Sequence, residues 1–94
     1  QYVANFGDGC VAGYKYFSLP EGVQLTLTVR GHHGRRAKGE LQVSADETFS
    51  RVSEAAFAGA KEARVSLRLP FTGTCALYVR FLGKGAIDLL TLSF

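Results

Sequence analysis

The sequence predicts an all-β fold, a sandwich or jelly roll of short antiparallel strands. Three observations carry this. Apolar and polar residues alternate with period two in several short runs, which is the pattern of a half-buried strand. Six or seven such runs recur at roughly ten-residue spacing, with glycine turns between them. No long stretch shows the 3.6-residue period of an amphipathic helix.

The elements follow in order. Tyr2-Val3-Ala4 is strand-like at the very start, which leads us to expect further residues upstream of Gln1, in a processed leader or a larger enzyme. Residues 11–17 form an aromatic-rich strand, and 18–22 hold a turn around Pro20 and Gly22. Val23, Leu25, Leu27 and Val29 alternate with Gln24, Thr26 and Thr28, a run rich in β-branched residues. A polar loop is expected over 31–39, followed by a strand carrying Leu41 and Val43, and a short strand over 48–52. Residues 54–63 are alanine-rich with Gly59 inside; an irregular loop is expected there in preference to a short helix. Val65, Leu67 and Leu69 mark the next strand, which 70–73 closes. Leu77, Val79 and Phe81 alternate with Tyr78 and Arg80, and Gly83-Lys84-Gly85 offers a reversal into a last apolar strand that runs to Phe94.

Ninety-four residues make one domain. No run of about 18 apolar residues is present, so no membrane partner is expected, and no signal peptide is visible. The net charge of +3 is mild, well short of a dedicated nucleic-acid binder. Cys10 and Cys75 match no zinc spacing and are read as two buried thiols or as one bridge.

No catalytic constellation stands out. His32 and His33 are adjacent and lack a nearby set of metal ligands, so no metal is expected. The carboxylates are scattered, and no two are marked as an acid/base pair. Gly7-Asp8-Gly9 is a turn rather than a phosphate loop, because a strand follows it. Residues 30–38, RGHHGRRAK, are the one charge cluster, a solvated loop or a site for phosphate or acidic sugar. No aromatic residue interleaves it to stack a base. Tyr14, Tyr16 and Tyr78 are candidate platforms for a sugar ring, with Tyr14 and Tyr16 expected on one strand face.

Three segments in order carry a resemblance: YVANFGDGCVAGYKYF at 2–17, VQLTLTVRG at 23–31 followed by GELQV at 39–43 as a central hairpin, and GTCALYVRFLGKGAIDLLTLSF at 73–94 as a closing strand pair. Together they resemble a family-six carbohydrate-binding module, in the form appended to the C-terminus of family-43 glycoside hydrolases of the xylosidase/arabinofuranosidase type. The resemblance implies a jelly-roll β-sandwich, residues 1–94, whose first strand or two lies upstream. It implies a non-catalytic accessory module that binds xylan- or arabinoxylan-type polysaccharide of the plant cell wall weakly, or packs on an upstream glycoside hydrolase catalytic domain. A parent enzyme of that kind would be secreted or periplasmic. The family's ligand site lies in loops at one end of the sandwich. Asp88 matches the polar residue at the start of the last strand, Glu62 stands near the place of a stacking tryptophan, and Tyr14 is a substitute platform. Leu90 occupies the place of an acidic calcium ligand, which argues against the family's structural calcium, and no other cofactor is expected. The rival reading is a polyanion-binding sandwich that uses the Arg30 to Lys38 loop.

Overall fold

Residues 3–94 are described by a computed structural model of the chain. Eight strands form: β1 (Val3–Gly7), β2 (Val11–Leu19), β3 (Gln24–Gly31), β4 (Ala37–Ser44), β5 (Val52–Gly59), β6 (Ala63–Arg68), β7 (Gly73–Lys84) and β8 (Ala86–Ser93). They make two four-stranded antiparallel sheets, the first ordered β1-β8-β3-β6 and the second β2-β7-β4-β5. That order is a jelly roll. The described residues supply eight strands, four to each sheet.

The alternating apolar residues face each other between the sheets. Leu25, Leu27, Val29, Ile87 and Leu89 project from the first sheet, and Leu41, Val43, Leu77, Val79 and Phe81 from the second; all are buried. Each such side chain contributes roughly 1.5–3 kcal/mol relative to exposure, so this layer is the main stabilising term.

Two expectations about pairing are corrected. The segments at 23–31 and 39–43 do not form a hairpin, since β3 lies in the first sheet and β4 in the second. Likewise β7 and β8 are not paired with each other; the chain crosses from one sheet to the other at Gly85. Gly83 instead serves the β4–β7 pair. It sits opposite Gly39, where a Cβ on Gly83 would lie 2.3 Å from the Lys38 carbonyl oxygen and one on Gly39 would lie 2.2 Å from that of Leu82. Among strands consecutive in sequence, only β4 and β5 pair directly.

Other elements also differ from expectation. Residues 54–59 of the alanine-rich stretch are not a loop but part of the edge strand β5, which is paired along its whole length with β4, and 60–62 connect it to β6. Phe57 is buried, with Ala55 and Gly59 on its side of the strand, and this inward alternation overrides the helix preference of alanine. Strand β4 begins at Ala37, inside the expected polar loop. The short strand expected at 48–52 is a turn. Asp46 Oδ1 accepts from the Thr48 amide at 3.1 Å and the Thr48 hydroxyl at 2.7 Å, and Oδ2 accepts from the Ser50 hydroxyl at 2.7 Å. The turn places the Phe49 ring under the Arg80 guanidinium, 4.1 Å from its centroid. Cys10 and Cys75 are unbridged, but they are not buried as expected: Cys10 is exposed and Cys75 half-buried.

Candidate ligand-binding site

The pairing registers bring one end of each strand together. At this end lie the β1–β2 turn, the 3₁₀ turn His32–Gly34 between β3 and β4, the β5–β6 connection and the β7–β8 crossing. Asp88 stands here on β8 between Ile87 and Leu89, which both point into the core. Its own side chain therefore faces the outer side of the first sheet.

Two neighbours and a turn close over that side. On β3, Arg30 is the direct cross-strand partner of Asp88, and its Nε donates to Oδ2 at 2.9 Å. On β1 an extra residue is inserted between Val3 and Phe6, a bulge in which Asn5 takes a positive φ of 55°. The bulge turns the Asn5 amide toward Asp88, and it donates to Oδ1 at 3.1 Å. The 3₁₀ turn supplies His32, whose Nδ1 lies 2.7 Å from the same oxygen. This turn depends on Gly31, where a Cβ would sit 1.9 Å from the Arg35 carbonyl oxygen. His33 follows at a φ of 55° with its ring 3.9 Å from that of His32.

Asp88 is thus only 3% exposed, with both oxygens occupied. Desolvation pushes its pKa up and is the largest single effect. The hydrogen bonds from Arg30, His32 and the Asn5 amide, with the charge of His32, outweigh it and hold the carboxyl below its ordinary value. A carboxylate can only accept, so His32 Nδ1 carries the proton of that bond. The carboxylate, Arg30 and the His32–Gly34 turn line a shallow cleft of ≈ 330 Å³ with Ala60. Asp88 and His32 have the relation of an orienting carboxylate to a base, but the lining contains no Ser, Thr or Cys to act as nucleophile. Among the described residues, no group of three His, Cys, Asp or Glu side chains is arranged to hold a metal ion.

The three residues singled out from sequence do not converge. Asp88 sits under Arg30 and His32, with both carboxylate oxygens already hydrogen-bonded within the chain. Tyr14 is on β2 of the second sheet, half-buried against the core, and burial raises its phenol pKa. A bulge explains this: three steps along β2 from Tyr14 to Phe17 match two along β7 from Leu77 to Cys75. Tyr14 and Phe17 therefore both pack against the core, whereas Tyr16 is 67% exposed, so Tyr14 and Tyr16 do not share a face. Glu62 is exposed on the β5–β6 connection and lines a neighbouring groove of ≈ 620 Å³.

The basic segment 30–38 and Asp88 were separate features of the sequence, and the fold joins them. Arg30 and His32 belong to Asp88, while Arg35, Arg36 and Lys38 remain exposed. Sequence reading missed the contribution of Asn5. Its signal was an Asn within a short strand, a residue that tolerates positive φ.

No family model matches the sequence, and no curated protein matches it. Among solved structures, the chain is similar to a 4-O-methyl-alpha-glucuronidase of glycoside hydrolase family 115, with specificity for decorated arabinogalactans, at a TM-score of 0.50 and 12% identity. The alignment covers 99% of this chain and 16% of that one. At that identity the likeness is one of fold.

Proposed function

We propose that this chain is a non-catalytic accessory domain of a carbohydrate-active enzyme, and that it binds xylan- or arabinoxylan-type polysaccharide weakly or packs against a glycoside hydrolase domain. One observation carries the reading. The jelly roll aligns over 99% of its length with a domain-sized 16% of a much larger glycoside hydrolase chain. The sequence resemblance to a carbohydrate-binding module points the same way.

The cleft at Asp88 supports weak rather than tight binding of neutral sugar. Hydrogen bonds to sugar hydroxyls largely replace bonds to water, so each adds little. Asp88 would have to break existing bonds to make new ones. No Tyr, Phe or Trp lines the cleft to stack a ring. Xylo-oligosaccharides should therefore bind with a dissociation constant near or above about 1 mM, worth about 4 kcal/mol. Calorimetry or NMR titration checks this, and micromolar binding would place the site elsewhere. Release of reducing sugar from xylan or arabinan by the pure chain, abolished by one Asp or Glu substitution, would overturn the non-catalytic reading.

A second reading, polyanion binding through the 30–38 loop, is favoured by one feature. The exposed Arg35, Arg36 and Lys38 stand at the same end of the sandwich as Lys61, Arg64 and Lys84.

A further inference from the structure

The cationic end of the sandwich is organised around the ≈ 620 Å³ groove rather than around Asp88. Strand β5 is the edge of the second sheet and β6 the edge of the first, so the connection between them bridges the open side of the sandwich. The groove there is lined by alanines and the edge of Phe57, with Arg36, Lys61 and Arg64 as its cations and Glu62 as its single acid. Arg36, Lys61 and Arg64 are exposed, and none has an ion-pair partner among the described residues. Next to the groove, Lys38 on β4 lies beside Ala58 on one side and directly opposite Lys84 of β7 on the other. Like charges facing each other across a strand pair are destabilising. Six of the eleven basic residues, Arg35, Arg36, Lys38, Lys61, Arg64 and Lys84, thus gather at one end with no ion pair among the described residues, although the whole chain carries only +3. Asp8, also at this end, accepts a bond from the Gly83 amide at 2.9 Å.

We propose that this groove binds a carboxylated polysaccharide, one uronate seated between β5 and β6 and the chain continuing over Lys38 and Lys84. The inference rests on the carbohydrate reading above and names its ligand class. Arginine forks match carboxylates in two-point contacts, which fits Arg36 and Arg64. The small alanine side chains leave room for the C–H face of a sugar ring. Glu62 separates this ligand from a general polyanion. An acid on the rim repels a densely charged polymer, yet it accepts hydrogen bonds from sugar hydroxyls. Double-stranded nucleic acid, with a charge about every 1.7 Å, is the poorer match to so mixed a surface.

The test titrates the chain with an oligogalacturonate, with its carboxyl-reduced neutral counterpart, and with heparin and DNA oligomers, using NMR shifts at low and physiological salt. The expected result is oligogalacturonate binding that moves the amides of residues 58–65 and weakens as salt rises. Carboxyl reduction, or Lys61→Ala with Arg64→Ala, should each weaken it about tenfold. Both side chains are exposed, and an unchanged spectrum of the unbound double variant verifies its fold. Equal binding of the reduced oligomer overturns the acidic-site inference but leaves the carbohydrate reading standing. DNA or heparin binding as tight as oligogalacturonate, with no binding of the reduced oligomer, overturns both. Unchanged affinity of the double variant, or no oligogalacturonate binding at low salt, overturns the inference.

Discussion

Asp88 is the one buried charged side chain among the described residues, and its role in the fold is structural. A carboxylate this deeply buried is tolerated because three donors from three different segments converge on it. Asp88→Ala would leave those donors without an acceptor and should cost about 3 kcal/mol by urea denaturation. Asp88→Asn keeps the shape and should cost less. A loss under about 0.5 kcal/mol for the alanine variant would show that the cluster does not hold the fold. The pH dependence has a definite sign. The carboxyl is held below its ordinary value in the folded state, so its contribution is present above about pH 4 and is lost as the pH falls through the lowered value. Asp46, lowered to about 2 by the side-chain hydrogen bonds of Thr48 and Ser50, behaves in the same direction. Stability measured between about pH 7 and pH 2 should therefore fall on the acid side, and Asp88→Asn should make that fall shallower.

Among the elements, the β4–β5 turn and the β4–β7 pair make opposite demands on sequence. The turn is built by one side chain, since Asp46 collects the amide and hydroxyl of both Thr48 and Ser50. Asp46→Ala should lower the melting temperature and speed hydrogen exchange at the Thr48 and Ser50 amides, with the central amides of β3 and β8 unaffected. Uniform acceleration over the whole chain would mean that the turn is coupled to global unfolding. The β4–β7 pair is built by missing side chains. Gly39 and Gly83 face each other so closely that a Cβ on either meets backbone oxygen, which cannot swing aside. Gly83→Ala should destabilise by about 3 kcal/mol or more, whereas Lys84→Ala beside it should change little. Equal effects in thermal melts would show that the two strands can part at no cost.

For the molecule as a whole, the two sheets supply stability and the end that bears the His32–Gly34 turn carries a cluster of cations outside any ion pair among the described residues. Lys84→Glu would turn the Lys38–Lys84 repulsion into an attraction and should raise stability by about 0.5 kcal/mol at low salt, with the gain shrinking as salt is added. A gain unaffected by salt would point to a cause other than charge. The sequence by itself determined the all-β class, most strand positions and the buried layer, because a period-two apolar run states which residues face inward wherever the strand is placed. It also offered Asp88, Tyr14 and Glu62 as contact residues and the 30–38 segment as the one charge cluster. It did not state partners. Leu27 or Val79 reads the same whether the next strand lies alongside it or across the core, so β3 with β4 and β7 with β8 looked like hairpins and are instead members of facing sheets. Tyr14 and Tyr16 were read onto one face because a bulge inserts its extra residue through the register of β7, which local sequence does not contain. The alanines of β5 became a strand because β4 offered them a full ladder of backbone partners. The union of Asp88 with Arg30 and His32, 58 and 56 residues away in the chain, was decided by tertiary structure alone. Hydrogen bonds between such distant residues depend on strand order and register, and these are set by the packing of all eight strands at once.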